Sequence, residues 1–412
     1  MQRSWIFTGF VLYILLTVIV FPFFIGVPWE SVFASDAIGY STGAKNILLH
    51  GLYSFDGIHP FMDREPVMSA FLVPIYALAG IENGIATAAV QAVMLFLASW
   101  FFCECFARVT GSRAAGITFL LILTSGSVLH TVFSAYRECL VMSLLLVFAG
   151  LWLSDDRSYP TSVLMGLLLG LVILAYYSFV FLPLFLLVAW ILEKRPLKQC
   201  AGLLLVCALT VSVWGLRNAS YDGRFRVIDN RRTAVMWHVR GEQAERIRGL
   251  EPLWCLWSEY ISRDWNGRSS ACSYNGLMHV KWPAGDTSSL ESYASTAAEG
   301  KAKIRANIHW YLWFSFFEIL ELHLPFVGGG WSHAFNVYAA FTQLILAVGF
   351  LLGLVRIRDR RLLLLFTLIA YNTGVFIFTD ATPRYMLPVF FCYAAIAGIG
   401  YDLLLKRFTP HT

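Results

Sequence analysis

Long apolar runs separated by short polar stretches make up most of this chain. Ten of them are long enough to cross, or nearly cross, a hydrocarbon layer of about 30 Å, so the pattern predicts a polytopic bundle of about ten helices. The predicted spans are Trp5–Val27, Gly84–Ala107, Ala114–Phe133, Cys139–Ser154, Thr161–Tyr176, Ser178–Leu192, Leu197–Leu216, Ala334–Val355, Leu362–Phe378 and Tyr385–Leu405.

Two apolar segments need a separate interpretation. Trp5–Val27 is too long for a signal peptide and lacks a small-residue cleavage site, so we interpret it as an anchor. Val67–Gly80 is too short to span and contains Pro74, which favours a helix that lies at the interface or dips into the membrane.

Composition agrees with the all-α membrane class. The 412 residues are 58% hydrophobic and 14% charged, whereas soluble domains have roughly 45–50% apolar and about 25% charged residues. The net charge of +5 is small and follows from topology and one long loop, so it does not indicate a nucleic-acid partner. Membrane lipids are the expected surroundings.

Basic residues beside the short connections predict the orientation. They fall on alternate sides of successive spans and therefore on one face, which the positive-inside rule makes cytoplasmic. We expect a multi-pass protein of the bacterial inner membrane with both termini inside and the active site periplasmic. The residues concerned are Arg3, Arg108, Arg113, Lys194, Arg195, Lys198, Arg356, Arg358, Arg360, Arg361, Lys406 and Arg407.

This topology predicts three regions: an N-terminal membrane region over 1–217, an extracytoplasmic loop region over 218–333, and C-terminal membrane helices over 334–412. The first outer loop, Trp29–Pro66, shares its side of the membrane with the turn Ser134–Glu138 and the long loop. Asp380–Pro388 opens the last span on that side too. Charges held this close to a membrane mark functional sites.

Several of these segments carry a resemblance to a known family. The first loop, with Tyr40, Ala44, Asn46–Leu49, His50-Gly51 and Tyr53-Ser54, resembles the opening loop of bacterial GT-C glycosyltransferases related to protein mannosyltransferases and lipid A aminoarabinose transferases. Further similar segments follow in the family's order along almost the whole chain. They are Arg64-Glu65-Pro66 with Phe71-Leu72 and Ile75–Gly80, Val213–Asn218 with Gly223, and Arg384-Tyr385 with Pro388.

The resemblance implies a GT-C bundle with interfacial helices, an extracytoplasmic loop domain and a polyprenyl-phosphate-linked sugar as donor. The acceptor would be a hydroxyl of a cell-envelope glycan, lipid or protein, and the enzyme a hexosyl- or pentosyltransferase. An inverting single displacement needs one carboxylate to take the acceptor proton and cations to hold the departing phosphate.

Three carboxylates are candidate catalytic groups. Asp36 is the first choice as general base, and its alternative role as the N-cap of a helix over Ala37–His50 is compatible with that. Glu65, like Asp63, could instead form a simple ion pair with Arg64. Glu138 would orient acceptor or base, or else pair with Arg137 or a helix end.

Arginines supply the candidate donor-phosphate ligands. The resemblance places a polyprenyl-phosphate contact at Arg384 and Tyr385, with headgroup snorkelling as the alternative for the arginine. Arg64 suits forked phosphate binding equally well, and Arg217 is a weaker candidate of the same kind.

We expect no cofactor and no metal ligands. No Cys/His spacing indicates zinc, and structural roles are favoured for His50, His59 and His309. Asp36 and Glu65 could hold a divalent ion as in GT-C enzymes with pyrophosphate donors, but a monophosphate donor makes one less necessary.

The cysteines fall into two groups. Six lie in or at the edges of predicted spans: Cys103, Cys105, Cys139, Cys200, Cys207 and Cys392. Cys255 and Cys272 lie alone in the long outer loop, where an oxidising compartment favours a disulfide between them.

Two other functions compete with this interpretation. An O-antigen ligase or polymerase would also use lipid-linked sugars, on pyrophosphate, but would carry its catalytic arginine and histidine in the main outer loop. A non-enzymatic lipid transporter would bury charges or broken helices near midplane in two corresponding repeats. The interior of the predicted spans is nearly free of ionisable residues, with Glu104 and Glu193 near their inner ends.

Overall fold

The computed structural model describes residues 3–26, 29–34, 36–62, 64–154, 156, 158–228, 231–246, 290–323, 332–355, 357, 359–377 and 383–408. Within these ranges the chain is helical, and the only extended pairing is an isolated antiparallel bridge between Ser54 and Pro60. The fold class is therefore all-α, as the apolar pattern predicts.

The helices follow one another with short connections. Those before residue 230 are α1 Arg3–Leu15, α2 Phe21–Ile25, α3 Ala37–His50, α4 Val67–Ala79, α5 Gly84–Thr110, α6 Ser112–Thr124, α7 Gly126–Val132, α8 Arg137–Leu153, α9 Tyr159–Ala175, α10 Leu182–Leu192 and α11 Leu197–Asp222. Those after it are α12 Arg231–Arg246, α13 Leu290–Ala306, α14 Ile308–Leu322, α15 His333–Leu354, α16 Leu363–Phe376 and α17 Phe390–Phe408.

Short helical turns link some of these helices. A π-helical segment, Leu16–Val20, joins α1 to α2. The 3₁₀ turns are Trp29–Phe33, Tyr177–Phe179, Arg360–Leu362 and Pro383–Val389.

Local sequence explains where many helices begin and end. Asn83, Ser158 and Ser332 cap α5, α9 and α15 through side-chain oxygens that accept backbone amide hydrogens. Gly51 ends α3 at a φ of +66°, a conformation that glycine adopts without steric cost.

Helices occupy all ten predicted spans, and the chain is a multi-pass membrane protein. Within the described ranges, five segments are long and apolar enough to cross a membrane: Thr8–Ile25, Gly84–Thr110, Leu197–Asp222, Ala334–Leu354 and Arg384–Phe408. A sixth results if α6 and α7, bent by 57° at Ser125, are one span.

The remaining predicted spans contain shorter helices than the apolar runs suggest. The segments 139–154, 161–176, 178–192 and 362–378 hold helices α8, α9, α10 and α16, of 17, 17, 11 and 14 residues. At 1.5 Å per residue these are about 16–26 Å long, less than a straight crossing needs. Apolar length alone therefore overstates the full-length spans.

The chain divides into two compact units. The first comprises residues 1–228, 325–372 and 387–412, and the second 229–324 and 373–386. In the first unit α5, α8, α9 and α11 pack in succession, and α17 packs between α6 and α15. In the second unit α12, α13 and α14 pack around Ala244, Ile304 and Tyr311. The three predicted regions, 1–217, 218–333 and 334–412, stay predictions.

Candidate functional site

The candidate site is built on α3, the helix that follows the predicted base. Asp36 stands at its N-cap position, but its carboxylate makes no capping hydrogen bond to the helix amides. The backbone carbonyl of Asp36 accepts a hydrogen bond of 3.0 Å from Arg64 Nη1. The start of α3 is thus held through its main chain by an arginine 28 residues later.

Arg64 lies flat against the first turn of α3. Its guanidinium carbon is 5.2 Å from the centre of the Tyr40 ring, a cation–π distance. A Cβ added to Gly39 would lie 2.5 Å from that carbon, so the arginine occupies space that only glycine leaves open. The alternative ion pair between Arg64 and Glu65 is wrong, because Glu65 pairs elsewhere.

Glu65 forms a buried ion pair with Arg137. Their atoms Oε1 and Nη1 are 2.5 Å apart, and the side chains are 7% and 11% exposed. The backbone amide of Tyr177 also donates to Glu65 Oε1, at 3.4 Å. Glu65 therefore ties the first loop to the turn before α8 and to the end of α9.

Arg137 is enclosed by an aromatic ring and by acids. Its guanidinium carbon lies 3.7 Å from the centre of the Tyr176 ring. Burial alone would lower the pKa of Arg137, but Glu65 and the other acidic groups around it raise that pKa above its ordinary value. The residue stays a cation in this setting.

Glu138 begins α8 beside this pair and is 1% exposed. The ion pair observed for Arg137 is with Glu65, not the sequence neighbour Glu138. Gln91 fixes the preceding turn by donating from Nε2 to the carbonyls of Val132 and Ser134. The structure thus brings Asp36, Arg64, Glu65 and Glu138 together around α3.

Two buried tyrosines complete this surrounding, and sequence reasoning missed both. Burial raises the pKa of Tyr40 to about 12, so its hydroxyl is neutral at physiological pH. Burial likewise raises the pKa of Tyr53, whose hydroxyl donates to the Glu65 carbonyl at 3.1 Å. The signal available in the sequence was their position between two charged clusters.

Arg217 is placed against the first loop rather than away from it. Its Nη1 donates to the Phe61 carbonyl at 3.0 Å and its Nη2 to the Tyr53 carbonyl at 3.3 Å. The guanidinium also lies over the rings of Trp214 and Tyr221, both at 4.6 Å. These contacts anchor the loop, and a role toward donor phosphate stays a prediction.

Arg384 and Tyr385 lie in the 3₁₀ turn before α17. The guanidinium carbon of Arg384 is 5.3 Å from the centre of the Tyr385 ring, and that ring stacks on Phe376 at 4.7 Å. Both residues belong to the second unit, whereas Asp36 belongs to the first. Their phosphate-binding role is still a prediction.

Two predictions concern residues outside the described ranges. Asp63 is one of them, and Cys255 and Cys272 are the others. The remaining six cysteines are free and buried.

Among the described residues one group has ligand atoms close enough to share a metal ion: His238, Glu242 and Glu299, in the second unit. Near Asp36, the Glu65 carboxylate is held by Arg137 instead.

Comparison with known proteins rests on the fold. No protein-family model matches the sequence, and no curated protein sequence does. The oligosaccharyltransferase of Archaeoglobus fulgidus in its apo form is similar, with a TM-score of 0.54, 15% identity, and coverage of 100% of this chain and 53% of that chain. Its complex AglB with an inhibitory peptide and a dolichol-phosphate gives 0.50, 14%, 100% and 52%.

A second kind of enzyme is also similar. ArnT from Cupriavidus metallidurans bound to undecaprenyl phosphate matches with a TM-score of 0.42, 14% identity, and coverage of 98% of this chain and 78% of that chain. This chain spans about half the length of the archaeal enzyme. The helical bundle predicted from the sequence is confirmed, and the chain has the fold of the GT-C membrane glycosyltransferases.

Proposed function

We propose that this chain is an integral membrane glycosyltransferase that moves a sugar from a polyprenyl-phosphate donor to an acceptor hydroxyl, with inversion at the anomeric carbon. The observation that carries the proposal is the charged cluster around α3: Asp36 held through its carbonyl by Arg64, and Glu65 held by Arg137. A transferase for lipid-linked substrates needs such a cluster beside apolar helices.

Asp36 is the proposed general base. The acceptor oxygen attacks the anomeric carbon, its proton passes to the Asp36 carboxylate, and the bond from that carbon to the phosphate oxygen breaks with its electrons on the phosphate. The products are a glycosylated acceptor and polyprenyl phosphate. A base must be oriented toward the proton it takes, which is what the Arg64 contact with the Asp36 carbonyl supports.

Glu65 and Glu138 take supporting positions in this proposal. Because Glu65 is paired with Arg137 in a nearly closed setting, it acts through that arginine and not as the base. Glu138 follows Arg137 in the chain and adds a carboxylate at the same turn. It orients the acceptor or the base.

Arginines would hold the leaving phosphate. Arg384 with Tyr385 is the first proposal, and Arg64 and Arg217 each keep guanidinium N–H groups beyond those used in their backbone contacts. The AglB complex with a dolichol-phosphate supports a lipid phosphate as the carrier. No metal or other cofactor is part of the proposed reaction.

The acceptor side and the location complete the proposal. The acceptor is a cell-envelope glycan, lipid or protein, recognised by the loop region over 218–333. The membrane is the bacterial inner membrane, with the site on the periplasmic face and both termini in the cytoplasm. The Archaeoglobus enzyme tethered to an acceptor peptide supports an acceptor on the side of a membrane enzyme like this one.

The test is donor consumption by the purified chain in liposomes. A panel of radiolabelled undecaprenyl-phosphate hexoses and pentoses is incubated with a cell-envelope extract, and released undecaprenyl phosphate is measured. We expect one donor to be consumed. Consumption only of pyrophosphate-linked oligosaccharides would favour a ligase or polymerase, and movement of intact donor between leaflets without release would favour a transporter.

A further inference from the structure

In the second unit, helices α12 and α13 cross at backbone contact. A Cβ added to Gly241 would lie 2.5 Å from the carbonyl oxygen of Gly300, so glycine at this position permits the close approach. Side chains beside this crossing point are brought together from two different helices. His238 and Glu242 come from α12, and Glu299 comes from α13.

These three side chains form a compact set of ligand atoms. One ring nitrogen of His238 and one carboxylate oxygen each of Glu242 and Glu299 lie within 4.8 Å of one another. His238 and Glu242 are four residues apart, so they project from one face of the helix. Their spacing suits two ligands of a single ion.

The histidine is the more telling member of the set. His238 is only 8% exposed, and its Nδ1 has no hydrogen-bond partner among the described residues. A buried polar nitrogen without a partner costs free energy, and metal coordination is one way to satisfy an imidazole nitrogen.

The local charge also favours a cation. The Lys303 ammonium contacts three carboxylates: Glu242, Glu299 at 3.2 Å and Glu245 at 3.3 Å. One positive charge thus faces three negative ones, and the Glu242 hydrogen bond raises the pKa of Lys303. A divalent ion would balance the remaining two charges.

Lys303 has room to yield its place. Glu245 and Glu299 have side chains that are 56% and 58% exposed, so both can change rotamer without disturbing the core. With Lys303 moved toward Glu245, Glu242 and Glu299 can close on an ion beside His238. Ligand atoms at about 2.0–2.2 Å from Zn²⁺ lie roughly 3.3–3.6 Å apart in a tetrahedron, so the closure is about an ångström.

We propose that His238, Glu242 and Glu299 bind one divalent transition-metal ion, with Zn²⁺ as the best match, and that the ion clamps α12 to α13. An imidazole with two carboxylates suits Zn²⁺, whereas Mg²⁺ and Ca²⁺ prefer oxygen ligands alone. The clamp joins the two helices on either side of residues 247–289. Its role is structural and separate from the proposed sugar transfer.

The experiment uses the full chain in detergent with a purification tag free of histidine. After treatment with a chelator, Zn²⁺ binding is measured by competition with a chromophoric chelator, and thermal unfolding is followed with and without Zn²⁺. The variants are His238→Ala, Glu299→Gln and Lys303→Met. His309→Ala is the matched control, because His309 is an exposed histidine in the same unit.

We expect one Zn²⁺ per chain and a higher melting temperature with Zn²⁺, both retained in His309→Ala. His238→Ala and Glu299→Gln should weaken binding at least about tenfold, since even residues that only orient ligands contribute that much. Lys303→Met should tighten it by removing a competing cation. Absence of Zn²⁺ binding, or binding that is unchanged in both His238→Ala and Glu299→Gln, would overturn the proposal; Glu299 is exposed enough that its amide variant should fold.

Discussion

The Oε1 atom of Glu65 lies 2.5 Å from the Nη1 atom of Arg137, across 72 residues of sequence and with both side chains nearly enclosed. Tyr176 covers the other side of the guanidinium. This contact joins three parts of the first unit: the first loop, the turn before α8 and the end of α9. It assigns Glu65 a positioning role.

The first prediction separates that role from base catalysis. Removing one partner of a buried ion pair costs about 3–5 kcal/mol, because the other charge is left buried. Glu65→Gln should therefore lower the free energy of unfolding by an amount of that order, measured by denaturation in detergent. The double variant Glu65→Gln with Arg137→Gln should recover part of the loss. A Glu65→Gln protein of unchanged stability that is nevertheless inactive would contradict the positioning role.

The second prediction concerns the base. Asp36→Asn removes the proton acceptor without changing side-chain size, so turnover should fall by something like 10²–10⁴-fold. Donor binding and membrane insertion should be unchanged, as measured by labelled-donor binding and by extraction from membranes. Glu30→Gln is the control, an exposed carboxylate in the same loop that should stay active. Full activity in Asp36→Asn would remove it from the mechanism.

A third prediction tests the way Arg64 holds Asp36. In Gly39→Ala the new methyl group would lie 2.5 Å from the Arg64 guanidinium carbon and displace it from the Asp36 carbonyl. Turnover should fall by at least about tenfold, since misplacing a catalytic group by about 1 Å can cost 10²-fold.

The control for that experiment is Gly116→Ala, since nothing lies within 4 Å of a Cβ at Gly116. Both changes replace glycine inside a helix and favour the helix intrinsically by roughly the same amount, about 1 kcal/mol. A loss of turnover in both variants, or in neither, would show that the Arg64 contact does not position the site.

The fourth prediction concerns donor phosphate. Arg384→Lys keeps the charge but loses the forked geometry, so donor affinity should weaken, and Arg384→Ala should weaken it further, by about 1–3 kcal/mol in all. Binding of a labelled polyprenyl-phosphate sugar measures this. Arg361→Lys, an arginine paired with Asp359, is the control. Equal affinity in all variants would leave Arg384 as a headgroup anchor.

How much the sequence predicts depends on the range of the interaction. Apolar periodicity placed helices in all ten predicted spans, because burial in a bilayer acts on each segment by itself. The start of α3 after Asp36 was likewise predicted from its neighbours. The shortened helix α10 was not, since a break at Tyr177–Phe179 depends on what those residues pack against.

Partner choice in the site was the part that local reasoning could not supply. Adjacent charges in the sequence suggested pairs of Arg64 with Glu65 and of Arg137 with Glu138, whereas the structure pairs Arg137 with Glu65 and sets Arg64 on the Asp36 carbonyl. Arg217 shows the same limit, because its contacts with Phe61 and Tyr53 come from 156 and 164 residues away. Such pairs depend on how helices pack.

The last prediction is a disulfide between Cys255 and Cys272, which lie outside the described residues. The stretch between them, Leu256–Ala271, is rich in polar and charged residues and has too few apolar side chains for a core of its own. A bridge closing so short a loop stabilises it by about 3 kcal/mol in the chain-entropy model. Alkylation of membrane-extracted protein without reductant, followed by mass mapping, should leave both residues unlabelled, with Cys139 accessible only after unfolding because it is buried and free. Labelling of both Cys255 and Cys272 would show that no bridge forms and would remove one support for an oxidising location of this loop.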